Sequence, residues 1–196
     1  TAESSTDVFS ALQKAVPSPL TVLDQSQAED KDAIVVTKAT ADKYHLTSIA
    51  DLAPVAGKLT LGAPPEFQTR ADGIPGLKRL YNVTFKTFRK LDAGGPLTEN
   101  SLKNGQIDAG DIFTTDPLID QNGWVVLADP KNLYTAQNVL PLINSKKASD
   151  TVKSVLNAIS AKLTTQDLIS LNEKVQMNKQ DPDAVAKDWL SSAGLS

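Results

Sequence analysis

Short apolar strands alternate with short helical segments over the first three quarters of the chain, and this alternation constrains the fold most. The clearest strand is residues 33–37, a β-branched, apolar run typical of a strand covered on both faces. Further strands are predicted at residues 21–23, 58–61, 85–91, 107–113, 124–127 and 139–143. Strands that alternate with helices favour a parallel-rich α/β sheet.

The chain becomes purely helical after the last strand. Amphipathic helices are predicted at residues 149–163, 164–176 and 181–190. Their apolar faces carry Val152, Val155, Ile159, Leu168 and Leu171. We expect either that these helices pack on one another or that part of the covering sheet is missing from this chain.

Composition excludes several classes of function. A net charge of −3 argues against a nucleic-acid partner, and no apolar run has the length of a membrane span. The absence of cysteine excludes thiolate metal sites and cysteine nucleophiles, and the single histidine, His45, leaves little room for a histidine-based triad. We therefore predict no cofactor, and His45 is interpreted as a helix-end residue that offsets the dipole.

Three aspartates near one strand are candidate metal ligands. Asp108 and Asp111 are three residues apart, so a strand would direct them to opposite faces, and Asp116 follows the strand. The interpretation favoured for all three is a solvated or capping carboxylate. No predicted site is metal-binding or catalytic.

Two polar clusters follow predicted strands. Arg70 comes shortly after residues 58–61, and Thr114 and Thr115 come directly after residues 107–113. Ligands of α/β sheets bind beyond the carboxyl ends of strands, and a guanidinium suits a planar carboxylate. These clusters indicate a binding site.

Six short motifs then occur in an order that we recognise. They are GAPPEF at 62–67, DGIPGL at 72–77, LDAG at 91–94, NGQID at 104–108, FTTD at 113–116 and VLADP at 126–130. With them, the chain resembles the substrate-binding proteins of osmoprotectant ABC transporters, which bind glycine betaine, choline or carnitine. Residues 137–142 (QNVLPL) are similar to the actinobacterial branch.

The resemblance implies a type II periplasmic-binding-protein fold, with one complete lobe and the C-terminal part of the other. By this resemblance, residues 1–37 are partial lobe one with the first crossing strand, and residues 38–136 are lobe two. Residues 137–196 are then the return strand and the C-terminal helices of lobe one. The N-terminal part of lobe one is expected to be absent.

The resemblance also implies ligand-binding residues in a cleft between lobes: Asp32, Phe67, Arg70, Phe113, Thr114, Thr115, Gln137 and Asn138. By the same resemblance, an Asn-x-Tyr-like stretch leads the first crossing strand in the family, and the matching positions here hold Asp30 and Asp32. Aromatic residues precede the return strand in the family's quaternary-amine binders, which hold the ammonium in an aromatic cage, and Gln137 and Asn138 stand there in this chain. Tyr134 lies close by in sequence. The expected ligand is therefore a quaternary amine or a more polar compound, and Asp32 could supply a direct charge.

The resemblance implies an extracytoplasmic solute-binding subunit of an ABC importer. Its expected partners are a small-molecule ligand and membrane permease subunits, with anchoring to the cell envelope as a lipoprotein. The uncovered helices predict self-association. Two alternatives stay open at this point: a transferase-like α/β enzyme and a ligand sensor outside transport.

Overall fold

A computed structural model describes residues 4–195. The ends of the two predicted lobe-one segments, residues 1–3 and residue 196, lie outside the described residues. The chain forms two compact units, one made of residues 1–31 and 135–196 and the other of residues 32–134. Strand 32–36 falls in the second of these units. The lobe boundaries expected from the resemblance stay a prediction.

The second unit is built on a five-stranded sheet. In chain order its elements are β2 (Asp32–Val36), α2 (Lys38–Tyr44), β3 (Thr60–Ala63), α3 (Ile74–Tyr81), β4 (Thr87–Lys90), α4 (Pro96–Lys103), β5 (Ala109–Phe113), α5 (Leu118–Gln121) and β6 (Val125–Val126). The strand order is β4-β3-β5-β2-β6. It contains the strands that the sequence predicts near residues 59–61, 85–91 and 107–113.

The sheet is mixed, whereas the sequence predicts a parallel-rich one. Strand β3 runs parallel to β4 and β5, but β2 runs antiparallel to both β5 and β6. Hydrophobic periodicity reports that a strand is buried and does not report its direction. The prediction of an α/β fold is confirmed, and only the expected strand direction is corrected.

Both faces of this sheet are covered. Along β2, Ile34 and Val36 join one apolar cluster, while Ala33 and Val35 join a second cluster. Successive strand residues point to opposite faces, so one strand feeds two buried layers. This double burial explains why every residue of β2 is buried and why its sequence is almost entirely apolar.

The first unit contains α1 (Ser5–Ala15), β1 (Leu20–Val22), β7 (Leu142–Asn144), α6 (Asp150–Ser160), α7 (Thr165–Asn172) and α8 (Pro182–Ser192). Strand β1 pairs antiparallel with β7 in a two-stranded sheet. Local signals define its helices: Ser149 caps α6, and Thr164 and Asp167 form a capping box on α7. A π-helical segment, Glu173–Met177, continues α7, where the sequence predicts a single helix.

None of the helices within residues 4–195 combines the length and the apolar character that crossing a bilayer requires.

Candidate functional site: a carboxylate cluster around Arg70

Two aspartates lie on the same face of the second unit's sheet. Asp32 pairs in register with Phe113, and Ile34 pairs with Asp111, across antiparallel β2 and β5. Residues two apart on a strand share a face, so Asp32 and Asp111 are diagonal neighbours. Both are buried.

Arg70 joins these two carboxyl groups. It follows a 3-10 turn at Pro65–Gln68, and its backbone N–H donates to the carbonyl oxygen of Glu66. Its Nη2 donates to Asp32 Oδ2 at 3.0 Å and lies 3.5 Å from Asp111 Oδ2. Its Nε lies 3.2 Å from Asp72 Oδ1. We call Asp32, Arg70, Asp72 and Asp111 the carboxylate cluster.

The guanidinium of Arg70 also lies against an aromatic ring. Its Cζ is 4.8 Å from the centroid of Phe67, which is fully buried in the adjacent 3-10 turn. A guanidinium at this distance is attracted by the ring quadrupole. Carboxylates on the strands and Phe67 in the turn thus fix the arginine side chain from several sides.

Charge and burial oppose one another in the cluster. Burial, together with the neighbouring Asp32 carboxylate, raises the pKa of Asp111 to about 8, although the Arg70 guanidinium acts in the opposite direction. Burial acts to lower the pKa of Arg70, but Asp32, Asp111 and Asp72 raise it overall. The cluster therefore holds a charged arginine beside a carboxyl group that keeps its proton at neutral pH.

Tyr134 completes this site. Its side chain is buried, and its pKa is raised by burial and by the charges of Asp111 and Asp32. Within the described residues, no hydrogen-bond partner is in place for Tyr134 OH or Asp111 Oδ1. Buried polar atoms without partners are unusual in folded proteins, and two of them belong here to one group of neighbours.

Asp129 holds the backbone around Tyr134. Its Oδ1 accepts from the backbone N–H of Leu133 at 3.0 Å, and its Oδ2 accepts from that of Tyr134 at 2.9 Å. The hydroxyl of Tyr81 donates to the same carboxylate, and the backbone N–H of Lys131 donates to that hydroxyl. One carboxylate thus fixes the turn that delivers Tyr134 to the site.

The structure corrects the interpretation of Asp111. The sequence favours a solvated or capping carboxylate, yet Asp111 is buried and its Oδ2 lies 3.5 Å from Arg70 Nη2. Its spacing from Asp108 gave no information about the neighbouring strand, which supplies Asp32. Asp116 follows the expectation more closely, because its Oδ1 accepts from the backbone N–H of Leu118 at the start of α5.

Three more of the predicted site residues lie in the second unit, at the end of β5 or directly after it. Phe113 is half-buried at the end of β5, opposite Asp32, and is followed by half-buried Thr114 and buried Thr115. Arg70 contacts both Asp32 and Phe67. The structure therefore brings three of the predicted residues together around the Arg70 side chain.

Gln137 and Asn138 belong to the first unit. The backbone carbonyl of Gln137 accepts from the N–H of Asp30. The side chain of Asn138 donates to the carbonyl oxygen of Ser26 at 3.0 Å and accepts from Ser5 Oγ at 2.6 Å. A ligand-binding role for these two residues stays a prediction.

Across residues 4–195, no three histidine, aspartate or glutamate side chains are grouped as a metal ion would require. His45 is the left-handed C-cap residue of α2, which places it at the helix end that the sequence indicates.

Comparison with known families gives a match over almost the whole chain. Residues 1–192 match the family described as the substrate-binding domain of ABC-type glycine betaine transport systems.

Two curated relatives illustrate the similarity. The ergothioneine transport permease/ergothioneine binding protein EgtU of Helicobacter pylori is 31% identical over 166 residues, covering 83% of this chain and 30% of that protein. The carnitine transport binding protein OpuCC of Listeria monocytogenes is 26% identical over 159 residues, covering 80% of this chain and 51% of that protein. The chain thus spans about half, or less, of the length of these relatives.

Solved structures agree on the fold. A glycine betaine/carnitine/choline ABC transporter structure is 26% identical, with a TM-score of 0.82 over 97% of this chain and 71% of that one. Apo YehZ from Escherichia coli has a TM-score of 0.70 at 24% identity, over 97% of this chain and 72% of that one.

Proposed function

Because the chain belongs to the family of substrate-binding domains of ABC-type glycine betaine transport systems, we propose that it captures a small osmoprotectant-like solute for an ABC importer. Its type II periplasmic-binding-protein fold is the fold of such carriers. One observation connects the proposal with particular residues. The guanidinium of Arg70 lies against the largely buried carboxyl groups of Asp32 and Asp111. Buried groups with strongly shifted pKa values concentrate at functional sites.

The ligand-binding residues that we propose comprise the eight predicted from the sequence and Asp111, which the structure adds. Asp32, Phe67 and Arg70 are supported by the contacts that Arg70 makes with the other two. Thr114 and Thr115 are supported by their position directly after β5, where hydroxyls and amides meet ligands in α/β folds. Phe113, Gln137 and Asn138 rest on the resemblance to the family.

The partners and the location follow from the family. We propose that the protein works outside the cytoplasm with membrane permease subunits, attached to the cell envelope as a lipoprotein. It acts as a carrier and not as an enzyme, since solute capture requires neither a nucleophile nor a general base.

Self-association is proposed from the first unit. Leu142 in β7 and Val155 in α6 are each more than half exposed, and burying such side chains against a second copy would be favourable. Light scattering at micromolar concentration is expected to give the mass of a dimer, and a strictly monomeric mass would contradict this proposal.

Titration calorimetry tests the proposed function. We expect binding of at least one solute among glycine betaine, choline, carnitine, ergothioneine and small amino alcohols. For a solute that carries a carboxylate, Arg70→Ala is expected to weaken that binding tenfold or more, because charge-assisted hydrogen bonds contribute about 1.5–3 kcal/mol. Lys38→Ala is the matched control, since its partner Asp42 is exposed on α2. Binding of no solute in this set, or equal effects of the two substitutions, would contradict the proposal.

A further inference from the structure

We propose that the carboxylate cluster, together with Tyr134, selects a ligand whose cationic nitrogen carries N–H groups over one whose nitrogen is fully methylated. This inference rests on the proposed function and concerns the chemical class of the solute. A quaternary nitrogen offers charge but no hydrogen-bond donor, so the two classes make different demands on a site.

The balance of charge favours a cation. Besides protonated Asp111, two aspartates surround one arginine, so the group carries a net negative charge: Arg70 pairs with Asp32 at 3.0 Å and with Asp72 at 3.2 Å. The arginine is therefore engaged by carboxylates of the protein itself, which reduces its capacity to bind a carboxylate of the ligand. The acidic side chain left over is Asp111, whose contact with Arg70 is the longest of the three at 3.5 Å.

Two buried oxygen atoms without hydrogen-bond partners favour a ligand that carries N–H groups. Within the described residues, Asp111 Oδ1 and Tyr134 OH are buried and have no hydrogen-bond partner. Both side chains are more than nine-tenths buried. Leaving buried polar atoms unpaired is costly, and a ligand that donates to them recovers that cost. A trimethylated nitrogen cannot donate to either oxygen.

The aromatic surface argues against a quaternary ammonium. Such cations are held by the faces of aromatic rings. The Arg70 guanidinium already lies over the Phe67 ring at 4.8 Å, and the Tyr134 ring is buried. The cluster thus offers carboxylates where an aromatic cage would offer ring faces.

Exposure falls along the cluster from its outer to its inner members. The exposed fraction of the side chain is 42% for Asp72, 28% for Arg70 and 3% for Asp111. Because charges interact more strongly as water is excluded, a cation beside Asp111 is held more strongly than one beside Asp72.

Proton loss from Asp111 accompanies such binding. A positive charge beside a carboxyl group favours its ionised form. The charged or titratable groups that face Asp111 come from several elements of the second unit and are Asp32, Glu66, Arg70, Asp72 and Tyr134. With the pKa of Asp111 raised to about 8 in the unliganded protein, uptake of the cation at pH 7 releases a proton and tightens as the pH rises toward 8.

A methylation series tests the inference directly. Choline, dimethylethanolamine, methylethanolamine and ethanolamine share one carbon skeleton and a positive charge at pH 7, and they differ in the number of N–H groups. Calorimetry with the 196-residue chain is expected to show ethanolamine binding at least tenfold more tightly than choline, with intermediate affinities between them. Repeating the titration in buffers of different ionisation enthalpy reports the proton released.

Two pairs of variants separate the side chains from general damage to the fold. Tyr134→Phe removes one hydroxyl and Asp111→Asn removes one charge, and each is expected to reduce the ethanolamine preference to threefold or less. Two substitutions in α2 are the matched controls and are expected to keep the preference: Tyr44→Phe at a half-buried tyrosine and Asp42→Asn at an exposed aspartate. Thermal melts confirm that each variant is folded.

The outcomes separate this inference from the proposed function. If choline binds as tightly as ethanolamine or more tightly, the inference is wrong while solute binding stands. If no member of the series binds but carnitine or ergothioneine does, the inference is again wrong and the function again stands. If no solute binds at all, both fail. If Tyr134→Phe and Asp111→Asn leave the preference unchanged, the assignment to this cluster is overturned.

Discussion

The two units of the chain differ sharply in how much apolar surface they bury. The second unit encloses two apolar clusters, one on each face of its five-stranded sheet. In the described part of the first unit, residues 4–31 and 135–195, the buried apolar residues are Leu23, Ala28 and Val185 alone. Yet both units are rich in amphipathic segments.

The difference shows that hydrophobic periodicity and capping residues are enough to form helices, but they do not by themselves bury the apolar faces of those helices. Helices α6 and α7 begin with complete side-chain caps, and none of their apolar side chains is buried. In the second unit the same kinds of helix lie against a wide sheet. Since burial supplies most of the stability of a fold, we expect stability to be concentrated in the second unit.

Truncating one leucine in each unit gives the largest test of this contrast. Leu61 in β3 is fully buried, and Leu61→Ala is expected to lower the free energy of unfolding by about 2–5 kcal/mol. Leu142 in β7 is 55% exposed, and Leu142→Ala is expected to change it by less than about 1 kcal/mol. Urea denaturation measures both. Equal losses would show that Leu142 is covered in solution.

The pH dependence of unfolding tests the buried charge of the second unit. A carboxyl group whose pKa is raised to about 8 binds its proton more tightly when folded, so stability falls as the pH rises from about 4 to about 8. The slope approaches about 1.4 kcal/mol per pH unit for one such group. Asp111→Asn is expected to flatten this part of the profile. An unchanged profile would contradict the raised pKa.

A smaller effect compares two carboxylates that accept backbone hydrogen bonds. Asp129→Asn takes the Oδ2 acceptor from the buried N–H of Tyr134 and is expected to cost about 1–3 kcal/mol of unfolding free energy. Asp167→Asn changes the exposed capping box of α7, and its cost is expected to stay below about 1 kcal/mol. Thermal denaturation orders the two variants. A larger cost for Asp167→Asn would reverse the ranking of the units.

Much of the second unit could be predicted from the sequence because its signals are local. The apolar run at residues 33–37 indicated a doubly covered strand, and β2 is buried along its whole length. The position of Arg70 after a strand predicts a place near a site and the family resemblance implies the same for Asp32, and the two side chains form an ion pair. Strand position is a local property, so the sequence reports it well.

Asp111 and the direction of β2 could not be predicted in this way. Whether Asp111 faces Asp32 depends on the register between β2 and β5, which residues 37–108 separate in the chain. Register is set by the packing of the whole sheet, and a spacing within one strand does not contain it. Tyr134 was noted only for its closeness in sequence to the return strand, although the Asp129 turn buries it beside Asp111.

The division of the chain has a consequence for how such a protein changes over evolutionary time. Residues 32–134 are one unbroken stretch, and they carry both apolar clusters and the whole carboxylate cluster. The first unit is assembled from the sequence on either side of that stretch. The second unit is therefore encoded by one continuous segment of a gene, which joins the coding sequence of the first unit at two points, before residue 32 and after residue 134. A double-crossover exchange at those junctions would replace both apolar clusters and the carboxylate cluster together and leave the flanking coding sequence untouched.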